Sequence, residues 1–122
     1  MTPTTADILA GNARVIAALA SGEGGPDYAA ARLGVVAMLG LLAAQEAATG
    51  AAVRAAENAA IRALLGDPGT DADLTIPALD AENARLRRAL IARHEAAGED
   101  DAEILALYRQ MAEGRLLVLP AM

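Results

Sequence analysis

Glu57, Asn83, His94 and Tyr108 are the residues of this sequence whose types and spacing could do chemistry. A carboxylate and an imidazole can act as general acid and base, and a carboxamide and a phenol can hold a polar ligand beside them. Polar residues are drawn into the apolar arcs of three helical segments: Asn12 in one, Glu57 together with Arg54 in a second, and Asn83 and His94 in a third. Asn83 and His94 are eleven residues apart, about three helical turns, which puts them on one face with Leu79, Leu86 and Leu90. Buried polar groups cost a few kcal/mol unless they are paired. Two readings follow. In one, these residues form a satisfied core network that fixes helix register, as a lone Asn does in a coiled coil. In the other they line a small pocket where Glu57 and His94 exchange a proton or hold a polar ligand, with Asn83 and Tyr108 alongside.

Other chemistries find less material. The chain has one His and no Cys, so thiolate metal sites, thiol nucleophiles and disulfides are all excluded. A di-metal bundle needs Glu-x-x-His pairs, and Ile91 stands three residues before His94. No metal and no cofactor is therefore expected. Ser21 is the single serine and sits in the glycine-rich stretch SGEGGP, a turn with no preceding strand to build a nucleophile elbow or a phosphate loop. Arg85, Arg87 and Arg88 form a basic cluster, best read as a solvated face pairing with Asp80, Glu82 or Glu95. All ten basic residues are Arg, and the net charge of -6 argues against nucleic acid or an anionic membrane surface as partner.

The elements that must position these residues are helices. Hydrophobic residues make up 55 % of the 122, Ala and Leu dominate, and there are two Tyr and no Phe or Trp, a composition that favours helix over sheet. Thr4 or Thr5 can cap a first helix with Asp7 in its opening turn, followed by a stripe of Ile8, Leu9, Val15, Ile16 and Leu19 in which Asn12 also falls. Val53, Ile61, Leu64 and Leu65 mark a later helix, with Asn58 and Arg62 facing water, ended by Gly66-Asp67-Pro68-Gly69. Leu79, Asn83, Leu86 and Leu90 alternate four and three apart from near Pro77 to about Ala97, the spacing of a short coiled-coil seam. A last helix opens at Glu99 to Asp101, buries Ile104, Leu107, Tyr108 and Met111, and ends at Gly114. The apolar segment from Leu116 should dock on the bundle or on a neighbouring subunit.

Leu33 to Ala44, LGVVAMLGLLAA, carries no charge and should be buried on every side, as the central helix of a bundle. It falls short of the roughly 20 apolar residues that cross a bilayer, being closed by Arg32, Gln45 and Glu46. Gly34 and Gly40 suggest close approach of another backbone. The helical pattern has no proline from Asp27 to Leu65, which as one helix would be about 58 Å long. A globule of this size is only about 35 Å across, so a break at Thr49-Gly50 is expected, with helices over 27–48 and 51–65. Gly50 would be the left-handed cap. The expectation is thus an all-α bundle of four to five helices, one domain over 1–122, around a central helix at about 27–48.

The DILA helix, the stretch EAATGAAVRAAENAAIRALLGD and the final GEDDAEILALYRQMAEGRLLV resemble a family of small uncharacterised all-helical bacterial proteins encoded near acyl-CoA dehydrogenases and aminoglycoside-phosphotransferase-like kinases. The resemblance implies a bundle fold and a partner in acyl-CoA or kinase-type metabolism, and it brings no catalytic residues. The PAM ending, without an aromatic residue, departs from the family's pattern. Three functions are in view: a non-catalytic, self-associating bundle, most simply a dimer; a small-molecule-binding or enzymatic bundle using Glu57, Asn83 and His94; and an accessory subunit of an acyl-CoA or phosphoryl-transfer enzyme. MTPTTADILAGN lacks the basic segment and apolar run of a signal peptide, so a cytoplasmic location is the expectation.

Overall fold

The computed structural model describes residues 4–20 and 27–119. Among them are four helices and no strand: α1 (Thr5–Ala20), α2 (Asp27–Leu65), α3 (Ile76–Ala97) and α4 (Ala102–Gly114). The all-α expectation holds. The SGEGGP turn with Ser21, and the last three residues, lie outside the described residues.

The expected break at Thr49-Gly50 is absent, and α2 is one helix of 39 residues. A single glycine costs only about 1 kcal/mol against alanine, too little to end a helix without a proline or a left-handed residue. Among the described residues the positive-φ glycines are Gly66 and Gly98, after α2 and α3, and not Gly50. Both residues at the expected break are held helically. Thr49 donates its hydroxyl to the Gln45 carbonyl at 2.9 Å, and the Gly50 carbonyl accepts from Arg54 at 3.0 Å.

Two compact units organise the chain: residues 50–116, and residues 1–49 with 117–122. In the first of these, the later part of α2 packs with α3 and α4 as a three-helix bundle. Its core is Ile61, Leu86, Leu90, Ile104, Leu107 and Met111. The seam Leu79, Asn83, Leu86 and Leu90 is buried as its spacing predicts. Asp101 caps α4 by accepting from the Ile104 amide at 3.0 Å, the acidic start that suits a helix N-terminus.

The second unit is α1, the first half of α2 and the segment after α4. Thr4 and Asp7 cap α1 reciprocally, with Thr4 N donating to the Asp7 carboxylate at 2.8 Å and Asp7 N to the Thr4 hydroxyl at 3.1 Å. Gly40 is a true close approach: a Cβ there would lie 2.9 Å from the Ala13 Cβ. Gly34 meets nothing within 4 Å, so the second expected contact is not made. The helices run antiparallel by simple reach. With Ala13 level with Gly40, a parallel return from residue 20 to residue 27 would span about 30 Å, and the connection reaches at most about 24 Å. Val118 is held by the Gln45 side chain, which accepts from Val118 N at 2.9 Å and donates to its carbonyl at 2.5 Å.

Leu33 to Ala44 is not buried on every side. Ala37 and Ala44 are buried, while Leu33, Val35, Val36 and Leu39 are 40–60 % exposed. The composition of the run demanded cover, and among the described residues α1 supplies it on the face of Ala37, Gly40 and Ala44 while Val35, Val36 and Leu39 stay exposed.

Candidate functional site

The polar residues gather where α2, α3 and the C-terminal end of α4 converge in the three-helix unit. Glu57 and Asn58 come from α2, Asn83 and Arg87 from α3, four residues apart and so on one face, and Arg115 follows Gly114 at the end of α4. Asn83 Nδ2 donates to Glu57 Oε1 at 2.8 Å and to Asn58 Oδ1 at 2.9 Å, and its own Oδ1 accepts from Arg87 Nε at 2.8 Å. Arg87 Nη2 reaches Glu57 Oε1 at 2.6 Å, and Arg115 forks onto both Glu57 oxygens at 3.0 and 3.1 Å. Asn58, fully buried, also donates to the Leu79 carbonyl at 3.3 Å.

Burial by itself pushes the Glu57 carboxyl up. Hydrogen bonds from Arg115, Arg87 and Asn83 outweigh it and hold the group at about 2. A general acid or base works best with a pKa near the operating pH. Glu57 is therefore a fixed carboxylate with both oxygens occupied. The cleft beside it, lined by Val53, Ala56, Ala60, Gln110 and Met111, holds about 170 Å³, below the 300–1,000 Å³ of ordinary ligand pockets.

A second network sits one turn on. Arg62 Nη2 donates to Asp71 at 2.9 Å and to Glu82 at 2.8 Å, and Arg85 joins Glu82 and Asp67 at 2.5 and 3.3 Å. Hydrogen bonds from Arg85 and Arg62 bring Glu82 down to about 2. Arg54 pairs with Asp80 at 2.6 Å.

His94 and Tyr108 meet each other and stand apart from Glu57. The Tyr108 hydroxyl lies 3.3 Å from His94 Nδ1, the ring centroids are 5.4 Å apart, and His94 Nε2 faces the Glu99 carbonyl at 3.4 Å. Eleven residues separate His94 from Asn83 on α3, about 16 Å along the axis. Of the four residues singled out in the sequence, then, Glu57 with Asn83 and His94 with Tyr108 form two pairs, and no described hydrogen bond joins them. Asn12 is exposed on α1. Asn58 and Arg62, expected to face water, are buried at 0 % and 5 % exposure, and Arg87 and Arg115 complete the Glu57 cluster. A usable signal was present: Arg54, Asn58, Ile61 and Leu65 repeat the four-three-four spacing of the α3 seam. No group of residues able to hold a metal ion occurs among the described residues.

No protein-family model, curated protein or solved structure matches the chain.

Proposed function

We propose that this chain is a non-catalytic, self-associating helical protein that acts through protein contacts. The three-helix unit is its self-sufficient body, and the outer face of α1 and α2 is its contact surface. The observation that carries the reading is the exposure of Val35, Val36 and Leu39 on α2, at 58, 51 and 60 %, beside Ile8, Val15 and Leu19 on α1, at 52, 61 and 69 %. These residues share one side of the helix pair. The groove lined by Ala10 and Arg14 of α1 with Leu41, Gln45 and Ala48 of α2 lies on the other side, and helical wheels at 100° per residue put both exposed stripes opposite it.

Magnitudes favour association. Fully burying a Val, Leu or Ile contributes about 1.5–3 kcal/mol, so six half-exposed side chains are worth about 1 kcal/mol each, near 6 per copy and 12 for a pair. The lost freedom of two bodies costs roughly 4–15 kcal/mol, so the balance lies where dimers form. The fully occupied Glu57 carboxylate and its small cleft support a structural role for the polar cluster, fixing how α2, α3 and α4 meet. Light scattering behind size-exclusion chromatography over a wide dilution series tests the reading. A concentration-dependent dimer is expected, and a monomer at every concentration overturns it.

A further inference from the structure

The face of α2 that carries the exposed Val35, Val36 and Leu39 is symmetric about Leu39, with Leu42 and Glu46 half-buried at its far end. Arg32 stands seven residues before it and Glu46 seven after, both within about 20° of Leu39 on the helical wheel. Val35 and Val36 stand four and three before it, Leu42 and Ala43 three and four after. Reversing the helix about Leu39 lays each residue on a counterpart: Arg32 on Glu46, Val35 on Ala43, Val36 on Leu42, and Leu39 on itself.

Such a pattern is complementary to its own antiparallel copy and not to its parallel one. Parallel pairing would set Arg32 against Arg32 and Glu46 against Glu46. Antiparallel pairing sets opposite charges at both ends of an apolar centre, with Val35 against the smaller Ala43. Helix α1 fits the same axis. The Gly40–Ala13 contact puts Val15 within about one residue of the level of Leu39, and Ile8, Asn12, Val15 and Leu19 run four, three and four apart on the exposed side. Face-to-face stacking of two α1–α2 pairs then forms a four-helix layer with Leu39 and Val15 both near the twofold.

We propose that two copies of this chain meet antiparallel through this face, about a twofold axis at Leu39, with Arg32 of each copy opposite Glu46 of the other. The inference rests on the self-association reading above and adds its geometry. Arg32 and Glu46 also hold interactions within their own chain; what matters here is their charge and position. Isologous pairing of this kind is the commonest symmetry of soluble oligomers, and the polar Asn12 in an otherwise apolar seam is the type of residue that fixes register.

Charge reversal tests the geometry in the whole chain. Arg32→Glu and Glu46→Arg each replace two attractions by two repulsions and should weaken the dimer by about tenfold. The double variant R32E/E46R restores opposite charges at both ends and should return to within about twofold of the unsubstituted chain. Because the chain lacks cysteine, crosslinking gives a second readout. An equimolar mixture of R32C and E46C should yield a mixed covalent dimer with a short bismaleimide, whereas each alone should not, and L39C should crosslink to itself. A stable dimer in which R32C crosslinks to itself, or in which the double reversal is as weak as the single ones, overturns the antiparallel geometry and leaves self-association standing. A chain that remains monomeric in buffer but floats with phosphatidylcholine vesicles overturns both, and makes a lipid surface the cover for this face.

Discussion

Alanine supplies the buried apolar positions among the described residues of the unit containing α1, namely Ala13, Ala37 and Ala44, whereas Ile61, Leu79, Leu86, Leu90, Ile104, Leu107 and Met111 supply those of the three-helix unit. Large apolar side chains are no scarcer in the first unit, but among the described residues none of them is fully buried, and Ile8, Val15, Leu19, Val35, Val36 and Leu39 are more than half exposed. Polar groups follow the reverse rule. Glu57, Asn58, Arg62 and Asn83 are buried and paired in the three-helix unit. Alanine brings two helices close, as at Gly40 and Ala13, yet its small surface contributes little on burial. A third layer adds far more, because domains need at least two packed layers around a core of large side chains. One unit has that within a single chain, and the other offers its layer to a second copy.

The contrast predicts opposite responses to truncation. Ile61 is fully buried, and Ile61→Ala should destabilise the three-helix unit by about 2–5 kcal/mol at any protein concentration. Leu39→Ala should leave that unit's unfolding unchanged and shift only the concentration dependence of association. Chemical denaturation monitored by circular dichroism at two concentrations separates the cases. Loss of stability from Leu39→Ala at high dilution would erase the distinction between the units.

A smaller effect is expected at the polar cluster. Glu57→Ala strands Asn83 and two partly exposed arginines and should cost about 1–3 kcal/mol. It should also change the acid response. The folded carboxyl lies at about 2, below its ordinary 4.5, so the unfolded chain binds the extra proton between those values and stability rises with pH across that window. The contribution is fully present above about 4.5 and is lost as pH falls through about 2. Glu57→Gln should flatten this slope without disturbing the neutral-pH baseline by as much as Glu57→Ala, and an unchanged acid slope would assign it to Glu82, which is held equally low.

Where leucine and isoleucine mark a face, the fold is legible from the sequence: the α3 seam, the Ile104-Leu107-Met111 stripe and the Thr4–Asp7 cap all follow from spacing and cap chemistry. Alanine is what hides the rest. Around Glu57 the alanines at 51, 52, 55, 56, 59, 60 and 63 fill about half of the α2 wheel, so the apolar arc has no sharp edge, and beyond the Arg54-Asn58-Ile61-Leu65 spacing nothing in the wheel chooses whether Arg62 lies inside it or out. Asn83, Asp71 and Glu82 choose, and they are distant in sequence. The continuity of α2 was hidden for another reason. A helix of 39 residues exceeds the diameter of one compact globule of this size, but the chain forms two units, and α2 contributes to both. Pairing Glu57 with His94 failed through axial distance, since residues on one helical face can still lie several turns apart.

The finest test of the contrast is the contact that defines the alanine-built unit. Gly40→Ala gains about 1 kcal/mol of helix propensity, but its new methyl group would stand 2.9 Å from the Ala13 Cβ, with backbone close behind at 3.7 and 4.0 Å. Neither helix can yield by a side-chain rotation, because alanine has none to offer, so α1 must move away from α2. Overpacking of this kind costs about 1–3 kcal/mol, and the net loss should be about 1 kcal/mol. Ala13→Gly in the same chain removes the opposing methyl group and should recover the loss, although Ala13→Gly alone is destabilising by about 1 kcal/mol. That sign reversal in a double-mutant cycle reports the α1–α2 spacing directly. Moving α1 would also displace Val15 from the level of Leu39, so Gly40→Ala should weaken self-association and the double variant should restore it. Additive effects in the two readouts would place the helices farther apart than the Gly40–Ala13 contact requires.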